Sequence, residues 1–186
     1  MAQITELFPG KKRILIVEDD SDLRLTLSEY LAGRLFAVST ARNGTEAIKI
    51  IQGSPHKFDI IFTDLIMPPG PDGIEVLKVA KQLHHSSYVV VMTGYSSIET
   101  AIESIRCGAF DYLTKPFTLA QIEIVANRIL EYLILQDDNQ RLTSKLALLS
   151  EKSATIDSRL ERIEALLSRI YANSMAESKT LTRLDF

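Results

Sequence analysis

"IIFTDLIMPPGPDG", residues 60–73, decides the fold. Ile60, Ile61, Phe62 and Thr63 read as a short, fully buried strand that runs straight into Asp64. Pro68, Pro69, Gly70, Pro71 and Gly73 then force the chain to turn. A carboxylate is therefore aimed out of the end of a core strand, above a constrained loop. Working outward, four more apolar runs precede Pro116: "RILIV" (13–17), "FAVSTA" (36–41), "YVVVMT" (88–93) and "AFDYLT" (109–114). Nearly continuous, β-branched runs are what a parallel sheet buried on both faces requires. Between the runs lie segments of helical spacing. Leu23, Leu27, Tyr30 and Leu31 form one stripe, and Ala47, Ile48 and Ile51 a second. Ile74, Leu77, Val79 and Ala80 form a third, Ile98, Ala101, Ile102 and Ile105 a fourth, and Ile122, Val125, Ile129 and Leu133 a fifth. Strand and helix alternate throughout, which predicts a doubly wound α/β domain.

Ligands of such sheets bind outside the carboxyl ends of the strands, near the point where strand order reverses. The residues at those ends are Glu18, Asp19 and Asp20, then Asp64, then Thr93, then Lys115 before Pro116. Neighbouring carboxylates repel by up to ~4 kcal/mol per pair at ~4 Å and an effective dielectric of ~20. A divalent cation removes that cost, and hard oxygen ligands with room for water suit Mg²⁺. A metal, a lysine, a hydroxyl and a carboxylate nucleophile are the parts needed to form an aspartyl phosphate.

At this point the sequence resembles a known family. "ILIVEDD" (14–20), "IIFTDLIMP" (60–68), "VVVMTG" (89–94) and "DYLTKPF" (111–117) are similar to the four signatures of bacterial response-regulator receiver domains, in that order and spacing. The region 111–117 with the helix before it is most similar to receivers of nitrogen-regulator-type activators. The resemblance spans 11–135 and implies a flavodoxin-like five-stranded parallel sheet of order 2-1-3-4-5. It implies that Asp64 is the phosphoacceptor and that Glu18, Asp19, Asp64 and the backbone carbonyl of Ile66 hold Mg²⁺. It assigns Lys115 to the phosphoryl group, and Thr93 and Tyr112 to a switch. It also implies a cis Lys115–Pro116 bond and a histidine kinase as the phosphoryl donor, with acceptance of phosphate shifting the surface of the fourth helix, fifth strand and fifth helix. Two departures stand out. The turn "MPPGPDG" is one residue longer than the family's Met-Pro-x-x-Asp-Gly, beside the phosphorylation site. Ile66 and Tyr95, two residues after Asp64 and Thr93, stand where side chains tune attack by water. Isoleucine cannot orient a water, so slow loss of the phosphoryl group is expected.

All 8 glycines and all 6 prolines lie at or before Pro116, so a many-turned domain gives way to continuous helix. Thr118 is placed to cap that helix. With Asn139 at position a of a heptad, Leu146, Leu160 and Leu167 share its register, while Leu135, Leu142, Leu149, Ile156, Ile163 and Ile170 fall at d. The spacing persists for about five heptads and predicts a coiled coil over 135–170. A helix from Thr118 to Ala172 would extend on the order of 80 Å. Lys152 would meet Asp157, and Arg159 would meet Glu164, across a parallel pair. Asn139 points to a homodimer, while leucine at a with isoleucine at d leaves a tetramer open. The polar stretch "SEKSATIDS" (150–158) is the place where the helix would break if the tail were a hairpin, and the last dozen residues are expected to lack order.

Composition bounds the rest. A net charge of −3 gives no reason to expect nucleic-acid binding, and no basic recognition helix is present. One cysteine, Cys107, excludes an internal disulfide and fits a reducing compartment. No signal peptide or membrane span is visible, so a cytoplasmic protein is expected. The sequence reads as 11–135, a receiver, followed by 136–186, a helical coiled-coil extension, and not as an enzyme. The reading is a stand-alone response regulator that acts on a downstream protein by contact, with a receiver-plus-linker portion of a DNA-binding activator and a coiled-coil scaffold that takes no phosphate as the alternatives.

Overall fold

The computed structural model describes residues 11–34, 36–94 and 98–181, with side chains as far as 169. Among the described residues five strands, β1 (Lys12–Val17), β2 (Phe36–Ala41), β3 (Ile60–Asp64), β4 (Tyr88–Thr93) and β5 (Asp111–Thr114), alternate with five helices. These are α1 (Ser21–Ala32), α2 (Gly44–Gly53), α3 (Gly73–Leu83), α4 (Ile98–Arg106) and α5 (Leu119–Leu181). The strands pair in parallel in the order β2-β1-β3-β4-β5, as the resemblance implied. The order reverses between β1 and β3, so the ends of those two strands flank the crevice where such sheets bind ligands.

Alternation along each strand divides the core into two layers. Leu15, Val17, Ile61, Val89 and Val91 pack with Ala47 and Ile51 of α2 and with Ile74, Leu77 and Ala80 of α3. Ile14, Ile16, Ile60, Phe62, Val90 and Met92 pack on the other face with Leu27 and Leu31 of α1 and Ile122, Val125, Ile129 and Leu133 of α5. Arg34, after α1, ties that helix to α5 by bonding Tyr30 (2.6 Å) and Glu123 (2.7 Å). Arg128 of α5 pairs with Asp111 at the start of β5. Helix starts follow local chemistry. Asn43 caps α2 by accepting from the Glu46 N–H (2.9 Å), and Asp72 and Glu75 form a reciprocal capping box on α3.

The fourth stripe is helical, as its spacing predicts, but it faces outward. Ile98, Ile102 and Ile105 are 76, 47 and 54% exposed, and the buried residue of α4 is Ser104. Helical spacing identifies a stripe but not the direction it faces. α4 packs against β5, a strand of four half-buried to exposed residues. Cys107, just beyond α4, is partly buried against the α2–α3 layer.

The chain divides between Ile134 and Leu135 into two compact units. Thr118 caps α5 as its sequence suggested, accepting from the Gln121 N–H at 3.3 Å while the Gln121 side chain accepts from the Thr118 N–H at 2.7 Å. In the second unit the helix runs without a break through 150–158 and on to Leu181, further than the fading heptad pattern suggested. Leu142, Leu146, Leu149, Ile156, Leu160, Ile163 and Leu167 are all more than half exposed in the single chain. The Asn139 side chain donates to the Leu135 carbonyl of its own helix (2.9 Å). Ile170 and the later heptad positions lie outside the described side chains. No helix among the described residues is long and apolar enough to cross a membrane.

Candidate phosphoryl-acceptor site

The ends of β1, β3, β4 and β5 deliver their polar groups to the same rim. β1 is buried through Val17, and the fully buried Glu18 follows, held in line by its N–H bond to the Ala41 carbonyl at 3.1 Å. Asp19 is exposed, and Asp20 turns away to cap α1, accepting from the Asp22 and Leu23 N–H groups at 2.9 and 3.0 Å. Those two bonds lower the Asp20 pKa. Of the three acids after β1, Asp20 is thus a helix cap rather than part of the rim. Arg24, one turn into α1, donates to the Glu18 and Asp19 carbonyls at 2.7 and 3.1 Å. That support was not anticipated from sequence, although a cation one turn after an acidic run is a signal that could have found it.

Asp64 closes β3 and is 6% exposed. Its strand is continued by the Leu65 N–H on the Met92 carbonyl (2.8 Å). A side chain at Gly73 would place its Cβ 2.3 Å from the Asp64 carbonyl oxygen, so the start of α3 is pressed against the backbone of Asp64. Only glycine allows that approach. The Ile66 N–H lies 3.3 Å from Asp64 Oδ1, and the Ile66 side chain is 52% exposed. Thr93, at the end of β4, is fully buried. Tyr112 is partly buried against the α2–α3 layer, its hydroxyl 3.3 Å from Thr100 Oγ1 on α4. Tyr95 lies outside the described residues.

Lys115 unites the rim. Its N–H bonds the Thr93 carbonyl at 2.7 Å, and the bond to Pro116 is cis. Its Nζ donates to Asp64 Oδ2 at 2.6 Å and to Glu18 Oε1 at 2.8 Å. Burial pulls the lysine down, but these two bonds outweigh it and raise the Lys115 pKa above its ordinary value. Glu18 is pushed up to about 7, by burial first and by the charge of Asp64, against the lowering effect of Lys115. One cation does not neutralise this set of acids.

One carboxylate oxygen from each of Glu18, Asp19 and Asp64 lies within 4.8 Å of the other two. Glu18 Oε2 sits 2.7 Å from Lys115 Nζ, yet as a buried atom it accepts no hydrogen bond of proper geometry. A cluster of hard oxygens with a buried oxygen still to be satisfied suits Mg²⁺ and not a soft metal.

Comparison with known proteins agrees. Residues 14–127 match the response regulator receiver domain. The chain is 36% identical to the regulatory protein AtoC of Escherichia coli K12, over 73% of this chain and 29% of that one. It is 30% identical to the transcriptional regulatory protein ZraR of Escherichia coli O157:H7, over 92% of this chain and 43% of that one. The chain thus spans less than half the length of these relatives. A response regulator from Burkholderia pseudomallei, solved with a phosphorylated aspartic acid and a calcium ion, superposes with a TM-score of 0.55 at 31% identity, over 65% of this chain and 75% of that one. With its sheet order, its rim and these relatives taken together, the chain belongs to the response regulator receiver domain family.

Proposed function

We propose that Asp64 accepts a phosphoryl group and that the chain serves as the receiver and linker helix of a transcription regulator of the kind its relatives represent. The observation that carries the first part is Lys115, whose ammonium bridges Asp64 and Glu18 across two loops. Receiver domains are normally partnered with a histidine kinase, and such a kinase is the donor proposed here. One oxygen of Asp64 forms a bond to phosphorus as the bond from phosphorus to the donor breaks. Glu18, Asp19, Asp64 and the Ile66 carbonyl would hold Mg²⁺, which when bound offsets the negative charge of the phosphoryl oxygens. Lys115 then exchanges its contact with Asp64 Oδ2 for a phosphoryl oxygen, and the Thr93 hydroxyl donates to another. Movement of Thr93 frees space that Tyr112 fills, drawing on its link to Thr100 of α4. The exposed Ile66 side chain shields the phosphoryl group from water, so Ile66→Asn shortens its lifetime. A lifetime unchanged or lengthened by that substitution would count against shielding.

The match to ZraR over nearly the whole chain supports the linker reading over a regulator that acts alone. We further assign the heptad seam of 135–170, exposed in the single chain as far as Leu167, to a parallel homodimer, with a tetramer as the other outcome of a mass measurement in solution. Acetyl phosphate with Mg²⁺ should add one phosphoryl mass to the protein, and Asp64→Ala should abolish it. An unlabelled wild-type chain would instead favour the scaffold.

A further inference from the structure

We infer that Gly44, at the start of α2, is a positioning residue for the phosphorylation site, because its missing side chain lets the lengthened β3–α3 loop close. The inference rests on the roles proposed above for Asp64 and Ile66. The loop from Asp64 to Gly73 is pinned at both ends. The Leu65 N–H bonds Met92 at 2.8 Å, the Gly73 N–H bonds the Leu65 carbonyl at 3.0 Å, and Met67 is buried at 2% exposure in the α2–α3 layer. The additional residue can therefore be absorbed only over 68–71. There the chain turns through Gly70, at a φ of 119°, and comes down on the first residues of α2. A Cβ on Gly44 would lie 2.1 Å from the Pro71 carbonyl oxygen and 2.8 Å from its carbon. A Cβ on Gly70 would lie 3.0 Å from Thr45 Oγ1.

α2 cannot yield in the loop's place. Asn43 caps it, and Ala47 and Ile51 hold it in the core at 0 and 1% exposure. A side chain at Gly44 thus lifts the loop. The displacement bypasses the Met67 anchor through the Gly73 N–H bond to the Leu65 carbonyl (3.0 Å), which joins the end of the loop to the residue before Ile66. Ile66 carries both the carbonyl assigned to the metal and the N–H facing Asp64 Oδ1. A helix that gives no side chain to the site is in this way part of its geometry. Loss of a group that orients a metal ligand lowers metal affinity about 10- to 100-fold, and that range sets the scale for a displaced Ile66 carbonyl.

The test compares the full chain with Gly44→Ala, with Gly53→Ala as control, since a Cβ at Gly53 meets nothing within 4 Å. Mg²⁺ affinity is read by titration calorimetry, and labelling of Asp64 by acetyl phosphate is read by intact mass. Gly44→Ala should weaken Mg²⁺ binding about 10-fold or more and slow labelling in parallel, while Gly53→Ala changes neither. Removing Gly70 in the Gly44→Ala background restores the shorter turn and should recover the affinity, which a merely destabilised fold would not do. Unchanged Mg²⁺ affinity in Gly44→Ala, or a loss that shortening the loop leaves in place, overturns the inference. If the wild-type chain takes no phosphate, the phosphoryl reading fails by itself and the calorimetric comparison still decides the role of Gly44.

Discussion

The two units spend the same residue types in opposite ways. In the first, Leu15, Leu27, Ile14 and Ile60 are 0 to 1% exposed, each covered by another part of the same unit. In the second, Leu146, Leu149, Ile156 and Ile163 are 67, 53, 57 and 53% exposed along one helix. Burial of apolar surface is the main source of stability, at roughly 25 cal/mol per Å². The receiver therefore supplies its own stability, whereas a lone helix carrying such a seam gains none from it. The difference teaches that the first unit covers its own apolar residues, while the second leaves a seam that the homodimer proposed above would cover.

The comparison breaks most sharply in the tail. Leu149→Glu, Ile156→Glu and Ile163→Glu together should abolish self-association, seen as a fall to monomer mass in sedimentation, with acetyl phosphate labelling of Asp64 retained. A triple variant that stays oligomeric would mean that the receiver, not the seam, holds copies together. The next largest effect lies in the sheet. Ile60→Ala should cost about 2–5 kcal/mol in denaturant unfolding, while Leu146→Ala under conditions where the chain is monomeric should change stability by less than about 0.5 kcal/mol.

A smaller effect separates the acidic rim from the core beneath it. In the metal-free chain, the Glu18 carboxyl titrates near 7 rather than 4.5. Between those values the folded state holds a proton that the unfolded state has lost, so stability falls as pH rises from 4.5 to 7. Glu18→Gln should flatten that slope in unfolding curves recorded with chelator, because the amide does not titrate. Stabilisation of the wild-type chain by Mg²⁺ should grow over the same interval, since the metal competes with the proton. A wild-type slope of the opposite sign would show that Lys115, not burial, governs Glu18.

How far these features were legible follows from the kind of signal each leaves. Fully buried strands leave long apolar runs, so β1, β3 and β4 were readable to within a residue, and strand-end acids followed from them. Loop paths leave no periodic signal. Nothing in "MPPGPDG" says that Pro71 descends on Gly44, because that depends on two segments meeting in space. Arg24 leaves a signal, a cation one turn after an acidic run, but its bonds to the Glu18 and Asp19 carbonyls form only after the chain turns into α1. Asp20 went the other way. Its sequence fits a rim carboxylate and a helix cap equally, and backbone geometry selects the cap.

The fourth helix provides the finest version of the contrast, because it lies within the receiver yet treats its isoleucines as the tail does. α3 turns Ile74, Leu77 and Ala80 inward, at 6, 0 and 0% exposure. α4 turns Ser104 inward and keeps it satisfied by a hydroxyl bond to the Thr100 carbonyl at 2.8 Å. Both helices have apolar residues at helical spacing, so periodicity alone cannot rank them. What differs is the surface they cover. α3 lies over the centre of the sheet, where two long buried strands leave an apolar floor, and α4 lies over the short edge strand β5. Ile102→Ser should accordingly shift stability by no more than about 0.5 kcal/mol, as for an exposed site. A loss of 2 kcal/mol or more on denaturant unfolding, as expected for a buried isoleucine, would show that α4 rotates its apolar stripe onto the sheet in solution.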